Sequence, residues 1–377
     1  MVGRICRLQG LSLPWMCFLS WAYQVPLFAS VRTEVNPPMV LVEIADPQLG
    51  MLNMYKKPEN WKDEETMLQK LVAKAASMKP DLVFLAGDMQ NWWPNEKGND
   101  RNRIKSMTDA QFTALKAKDL GKLQRKSVRD AMSALTDAGI AVCYTPGNHD
   151  VGDDPDEETL GQYTSSSSEN PGWGPLFQRV KEENGIVFLQ FNSQVYWSEN
   201  SEILDKYRKE QFDFLESEIN SLVAKRIKRL VLLTHIPPFM DTIEEEEGWA
   251  NWKKEYREEL LTLFAKLQVP MLFVCGHFHA NVVKDTTYKD LPLSIRVSSA
   301  AGTTIQWDGK DALSPEEAQK VASKNVMSAF AQDVGFANIP QRLRAEPDRS
   351  GLRTFHFNDD GSFEDHWYTL DELDTTP

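Results

Sequence analysis

The chain has 377 residues, 41% of them hydrophobic and 10% aromatic, which is enough apolar material for a large core and excludes a disordered polypeptide. Its 55 acidic and 42 basic side chains leave a formal charge of -13, which disfavours electrostatic attraction to nucleic acid or to an anionic membrane. The four cysteines, Cys6, Cys17, Cys143 and Cys275, form no CxxC pair, and two sit in strand-like runs, so reduced buried thiols fit better than a disulfide framework or a thiolate zinc site.

Arg4 and Arg7 precede a stretch without charge from Leu8 to Val31, the layout of a secretory leader with a basic start. Pro14, Gln24 and Pro26 interrupt it, which disfavours a membrane span and leaves a leader, a variable extension or a misassigned start open. Residues 1–37 are therefore set apart from the fold, and the expected location is the cytoplasm, or the secretory pathway if the leader is real. From residue 38 the chain alternates. "MVLVEIAD" reads as a strand, "DEETMLQKLVAKAASM" as a helix opened by acids, "DLVFLAGD" as a strand, and "RKSVRDAMSALTDAG" as a helix closed by Gly139. "IAVCYTPGNHD" and "GIVFLQFNS" follow as strands, then the helix "EQFDFLESEINSLVAK", the strand "RLVLLTHIPP", the helix "WKKEYREELLTLFAKL" and the strand "VPMLFVCGHFH". This order predicts an α/β fold of largely parallel strands with helices outside, and functional residues beyond the carboxyl ends of the strands. The last part, "LSIRVSSAAG" and "GLRTFHFNDDGSFEDHWYTL", reads as strands joined by a DDG turn. "SPEEAQKVASKNVMSAFAQDV" has a serine cap, a first-turn proline and early acids, and predicts an inserted helix near 314–334.

What ends each apolar run carries the chemistry. Asp46 with Gln48, Asp88, Asn148 with His149, His235, and His277 with His279 all follow such runs, and they include four of the six histidines. One histidine at a strand end is ordinarily a hydrogen-bonded structural residue. Five polar ends in one chain need a common explanation, because carboxylates and neutral imidazoles at the edge of an apolar core are costly unless paired or metal-bound. Oxygen and imidazole donors without thiolate suit Mn, Fe or Zn, and the histidines disfavour calcium. Seven candidate ligands, Asp46, Gln48, Asp88, Asn148, His235, His277 and His279, exceed the needs of one ion and suit two about 3.5–4 Å apart that share a water ionised near neutral pH, with Asp88 as the natural bridge.

The run DxQ…GD…GNHD…H…GHxH resembles the calcineurin-like metallophosphoesterase superfamily. "ADPQLG", "HIPPF" with its acidic stretch, "SSAAG" and "GLR…YTLDEL" are similar to the serine/threonine protein phosphatases within it that are named for a calcineurin-like phosphoesterase domain. The likeness covers about residues 39–373. It implies a four-layer α/β/β/α sandwich of two mixed sheets flanked by helices over 38–377. It also implies one metal site at Asp46, Gln48, Asp88 and His279, a second at Asp88, Asn148, His235 and His277, and catalytic His149 over the phosphate as a transition-state stabiliser or proton donor to the departing oxygen. Most of the superfamily has histidine where this chain has Gln48; the amide is a weaker donor, and it either lends its oxygen to a metal or holds a neighbour by hydrogen bond. Asn91 and Trp92 stand where larger phosphatases of the calcineurin type carry an Asp and a phosphate-binding Arg, and purple acid phosphatases would need Tyr at Asn91. The expected activity is binuclear-metal phosphomonoester hydrolysis on a phosphorylated protein, with a phosphodiesterase for a nucleotide or lipid headgroup and an inactive scaffold as the other readings. "TIEEEEGWANW" reads either as a rim attracting basic peptides or as a solvated charge run, and Trp92 and Trp93 either as packing or as a substrate stack.

Overall fold

Strand β1 (Met39–Ile44) is a continuous apolar run because both of its faces are covered. In a computed structural model describing residues 38–53, 57–94, 108–116, 118–165, 172–198, 201–302 and 350–375, Leu41 of β1 joins Phe84, Phe188, Val231 and Phe355 on one side. Val42 and Ile44, on the other, pack with Leu68, Leu71, Val128 and Met132. The two partners are a second sheet and a layer of helices. The 1–37 extension and the helix expected near 314–334 lie outside the described residues.

The first sheet has the order β11 (Phe363–Thr369), β10 (Gly351–Phe357), β1, β2 (Leu82–Leu85), β3 (Val142–Tyr144). β1, β2 and β3 run parallel, and β10 lies antiparallel to β1 with Glu43 opposite Arg353. The second sheet has the order β4 (Gln178–Glu183), β5 (Ile186–Gln190), β6 (Arg229–Leu233), β7 (Met271–Cys275), β9 (Leu291–Val297), β8 (Val282–Tyr288). β5, β6, β7 and β9 are parallel and both edges are antiparallel. Both sheets are therefore mixed, as the resemblance implied. Helices α1 (Lys62–Met78) and α2 (Leu120–Asp137) supply the core over the first sheet, and α3 (Glu202–Val223) and α4 (Lys254–Ala265) that over the second. Across the middle, Phe188 and Phe357 meet edge to face at 5.4 Å, a contact worth about 1 kcal/mol beyond its buried area.

Two helices start upstream of the expected positions, for a local reason. α3 begins after Ser201, whose hydroxyl accepts from the Leu204 amide at 3.2 Å, and α2 begins after Asp119, whose carboxylate accepts from the Lys122 amide at 3.2 Å. Edge strands β4 and β8 were not expected. Their sequences, "QRVKEE" and "VVKDTTY", carry the charges that protect a sheet edge and mask an apolar run. The hairpin expected at "NDDG" forms between β10 and β11, with Gly361 at φ 85°.

Candidate metal centre

The parallel strands of both sheets end at one place, and the loops leaving them are locally strained there. Asp46, Gln48, Asp88, His277 and His279 have φ of 47°, 37°, 48°, 73° and 55°. Non-glycine residues in this left-handed region are uncommon, and such strain gathers at functional sites. The loops after β1 and β2 pair with each other, through Gln48 N to Asp88 O at 2.8 Å and a bridge between Leu49 and Gln90. Glu64, one of the acids expected to open α1, holds the first of these loops instead by accepting from Gly50 N at 2.8 Å and Leu52 N at 2.6 Å. Two glycines let backbone reach the carboxylates. A Cβ on Gly147 would collide with Asp88 Oδ1, and one on Gly276 with Asp46 Oδ2.

All seven ligand candidates are buried, and five of them, Asp46, Asp88, His235, His277 and His279, gather in two clusters. Asp88, His235 and His277 form one cluster, and Asp46, Asp88 and His279 another, the ligand atoms of each lying within 4.8 Å of one another and Asp88 common to both. His279 Nε2 lies 3.7 Å from Asp46 Oδ1, and His235 Nε2 lies 3.5 Å from Asp88 Oδ2. Asp46 accepts from the His277 amide at 2.9 Å, and Asp88 Oδ1 from the His149 amide at 2.8 Å.

Hydrogen bonds to main-chain carbonyls assign the ring protons. A carbonyl only accepts, so His235 Nδ1 donates to Ala86 O at 2.6 Å and His277 Nε2 donates to Trp249 O at 2.9 Å. The remaining nitrogens, His235 Nε2 and His277 Nδ1, face each other at 3.2 Å. Two lone pairs at that separation require a proton or a cation between them, and a carbonyl on the far ring nitrogen is the usual support of a metal-ligating histidine. Burial lowers the His235 imidazole, but the Asp88 carboxylate outweighs it and raises it to about 9; burial, and then His235, push His277 down to about 3. Burial drives the Asp46 carboxyl well above the ordinary range, with Asp88 adding to it against His235. Burial raises Asp88 too, yet the imidazoles of His235 and His149 overcome that and hold it below the carboxylate range. A divalent cation relieves all four together, since it favours ionised carboxylates and neutral imidazoles.

The amides give a second sign that the donor set fits metal. Gln48 and Asn148 are 1% and 4% exposed, and neither Gln48 Oε1 nor Asn148 Oδ1 has a hydrogen-bond partner among the described residues. Their nitrogens are committed: Asn148 Nδ2 donates to Asp153 Oδ1 at 3.2 Å, and Gln48 Nε2 lies 3.3 Å from Asn91 Oδ1 and 2.8 Å from His149 Nε2. Leaving a buried acceptor unmade costs about 1–3 kcal/mol, and cation coordination removes that cost. Of the two roles the sequence left open for Gln48, the hydrogen bond to a neighbour is present, from its nitrogen to His149, and its oxygen has no partner among the described residues.

His149 is held on three sides. Nδ1 donates to Asn91 O at 3.0 Å, Nε2 accepts from the Gln48 amide, and the Trp93 ring lies 4.7 Å away at 53°. Trp93 therefore braces the histidine, while Trp92 packs with Leu115 and Leu120. Asn91 serves through its carbonyl as well as its side chain, so charge at this position is not what positions the ring. Asp150 was overlooked although it ends the GNHD motif. Its carboxylate accepts from Met89 N at 3.0 Å and Gly147 N at 2.9 Å, fastening the Asp88 and Asn148 loops to each other.

The acidic stretch is built into this wall. Fully buried Arg257 donates to Ile243 O at 2.6 Å, Glu245 O at 2.8 Å and Trp252 O at 2.8 Å, while Glu245 accepts from the amides of Met240 and Asp241, each at 2.7 Å. Glu244, Glu246 and Glu247 are left exposed. The loop's ordered product is Trp249, stacked on His277 at 4.2 Å and 29°. No signal in the sequence distinguishes Trp249 from the ten other tryptophans.

The chain is similar to several known proteins. The chain is 26% identical over 261 residues to the serine/threonine-protein phosphatase CPPED1 of Danio rerio, covering 66% of this chain and 73% of the fish protein. It is 24% identical over 289 residues to the Homo sapiens protein of the same name, covering 74% and 80%. Among solved structures, a dimetal phosphatase from Danio rerio aligns with a TM-score of 0.49 and 12% identity over 89% of this chain and 99% of that one. No helix among the described residues is long and apolar enough to cross a membrane. The calcineurin-like phosphoesterase family profile matches residues 39–281, which contain every candidate ligand and His149, and the chain belongs to that family of metal-dependent phosphoric ester hydrolases.

Proposed function

We propose that the protein is a serine/threonine phosphoprotein phosphatase that works with two divalent cations. The observation that carries the reading is the pair of clusters sharing Asp88, with two orphaned amide oxygens beside them. Asp46, Gln48, Asp88 and His279 would hold one cation, and Asp88, Asn148, His235 and His277 the other. When bound, such cations supply Lewis-acid charge for phosphoryl oxygens and acidify water. The choice of phosphoprotein substrate is supported by the names of the relatives, since one fold hosts many substrates.

The protein's own groups orient and protonate. The Ala86 and Trp249 carbonyls fix the rings of His235 and His277, so His235 Nε2 and His277 Nδ1 converge before any ion arrives. His149, aimed by Asn91 O and braced by Trp93, is the group that meets the leaving oxygen. In the resting geometry its Nε2 accepts from Gln48. For Nε2 to deliver a proton there, the Gln48 amide must turn away and Nε2 must first take up a proton from solvent water.

The test is turnover, with Mn added to stripped protein, of p-nitrophenyl phosphate against its bis-ester, followed by a phosphoserine and phosphothreonine peptide panel. Preference for monoester and phosphopeptide is expected. Preference for the bis-ester makes the protein a phosphodiesterase, and no turnover with two Mn bound makes it a binding scaffold.

A further inference from the structure

The proposed catalysis gives no role to "SSAAG" and "GLR", yet both are buried under one half of the metal centre. Alternation along the strands turns Glu43 of β1, Arg353 of β10 and Asp365 of β11 into the layer between the sheets, otherwise filled by Phe188, Val231, Phe355 and Phe357. Arg353 is completely buried there. Its Nε donates to Ser298 Oγ at 3.1 Å, its Nη2 to Asn281 Oδ1 at 3.1 Å and its Nη1 to Asp365 Oδ2 at 2.5 Å, and Ser298 Oγ donates to Glu43 Oε2 at 2.5 Å. Replacing such a buried polar cluster by apolar groups is often neutral or stabilising, so its presence is poorly explained by stability alone.

What the cluster holds is the loop of residues 298–302. Ser299 N donates to the same Asn281 Oδ1 at 2.9 Å. From that anchored loop, Ser299 Oγ donates to the carbonyl of His279 at 3.1 Å, Ala301 N to the carbonyl of Ala45 at 2.7 Å and Gly302 N to the carbonyl of Asp46 at 3.3 Å. Both residues gripped through their backbones, Asp46 and His279, are in the strained left-handed region, and both belong to the cluster that does not contain His235. Among the described residues no bond of this kind joins the loop to His235 or His277, whose rings are held by Ala86 and Trp249, although Ser298 N donates to the carbonyl of Cys275 at 2.8 Å, two residues before His277.

We propose that Arg353 is a positioning residue for the first cation position, acting through Asn281 and the loop of residues 298–302 to fix Asp46 and His279, while the second position is independent of it. The inference rests on the two-cation reading above. Arg353 touches neither substrate nor ion. Its effect is a selective one on metal affinity at one of two positions less than a side chain apart, and outer partners of metal ligands typically contribute about 10–100-fold in affinity.

The experiment is stepwise Mn titration of the stripped full-length chain by calorimetry, with metal content counted at saturation, and the first-position step identified as the one that His279→Ala abolishes. Arg353→Met leaves Asp365 paired, because Arg296 Nε also donates to it at 2.9 Å. We expect Arg353→Met to weaken the first-position step about 10-fold or more with the other step unchanged. Asn281→Leu should do the same, and Asn281→Asp, which keeps the acceptor oxygen, should restore much of the affinity. If Arg353→Met fails to fold, Ser299→Ala removes one hydroxyl and must show the same selectivity at smaller size. Both steps weakening in parallel with melting temperature, Asp failing to rescue at 281, or both steps remaining unchanged in the folded variants overturns the inference. Wild-type protein binding fewer than two Mn would instead sink the two-cation reading itself.

Discussion

The two clusters that share Asp88 lie against each other and are built by different means. In the His235–His277 cluster each imidazole is aimed by its own second nitrogen, through a carbonyl of a neighbouring loop. In the Asp46–His279 cluster the backbone is aimed, by a loop fastened to buried Arg353 on β10, the strand beside β1. The first arrangement is local to the ring and makes a rigid pair of imidazole donors. The second combines carboxylates with one imidazole, and the amide proposed to join them, Gln48, has its nitrogen occupied with His149. Under the proposed two-cation function, such a pair would divide labour, one position held by preset imidazoles and the other linked through Gln48 to His149.

The most damaging test of this division is at its shared member. Asp88→Asn is expected to abolish two-metal stoichiometry and to cut turnover about 10⁴-fold or more, because two cations each supply several kcal/mol of charge stabilisation. Metal counting on the folded variant checks it, and two retained ions would dissolve the idea of a common bridge. Next in size, His149→Ala should lower turnover about 10²–10⁴-fold while both ions stay bound. Near-normal turnover in that variant removes the proton-donor role and leaves Gln48 with only its metal.

Acid should separate the clusters less severely. The His235 imidazole, raised to about 9 by Asp88 against the effect of burial, carries a proton in the ion-free protein below that pH, and an incoming cation must expel it. Mn affinity at that position should therefore rise with pH to about 9 and fall about 10-fold per unit below it. A flat profile between pH 6 and 8, measured by competition with a chelator of known affinity, would mean that the proton is not displaced. The smallest effect is expected at Gln48. Exchanging it for histidine replaces an amide oxygen by a better nitrogen donor, so the first position should bind Mn several-fold tighter, roughly 1 kcal/mol. The same change removes the amide beside His149 Nε2, and the pH dependence of turnover should shift with it. An unchanged titration would show that the Gln48 oxygen is not a ligand.

Much of this centre was legible because its residues break a pattern. Asp46, Asp88, His235 and His277 interrupt or end apolar runs, and a polar side chain at a strand end is visible without any structure. The strands themselves were readable from continuous burial, as in "MLFVC", while β4 and β8 escaped because edge strands are half-wet and charged. Trp249 and Arg353 left no comparable mark. Each is an ordinary residue until folding carries it to a histidine or a loop far away in sequence, as Arg353 meets Asn281 across 72 residues.

By itself the amino-acid sequence determined the α/β order, the set of ligand types and the presence of an amide at position 48, since periodicity and donor chemistry are properties of the chain. Tertiary structure alone decided that the Gln48 oxygen has no hydrogen-bond partner among the described residues while its nitrogen faces His149, that Trp249 stacks on His277, and that Glu245 and Arg257 of the acidic stretch are built into the wall. Those outcomes depend on distances between segments that no local rule links, and they are set only when two sheets pack and bring their strand ends to one edge.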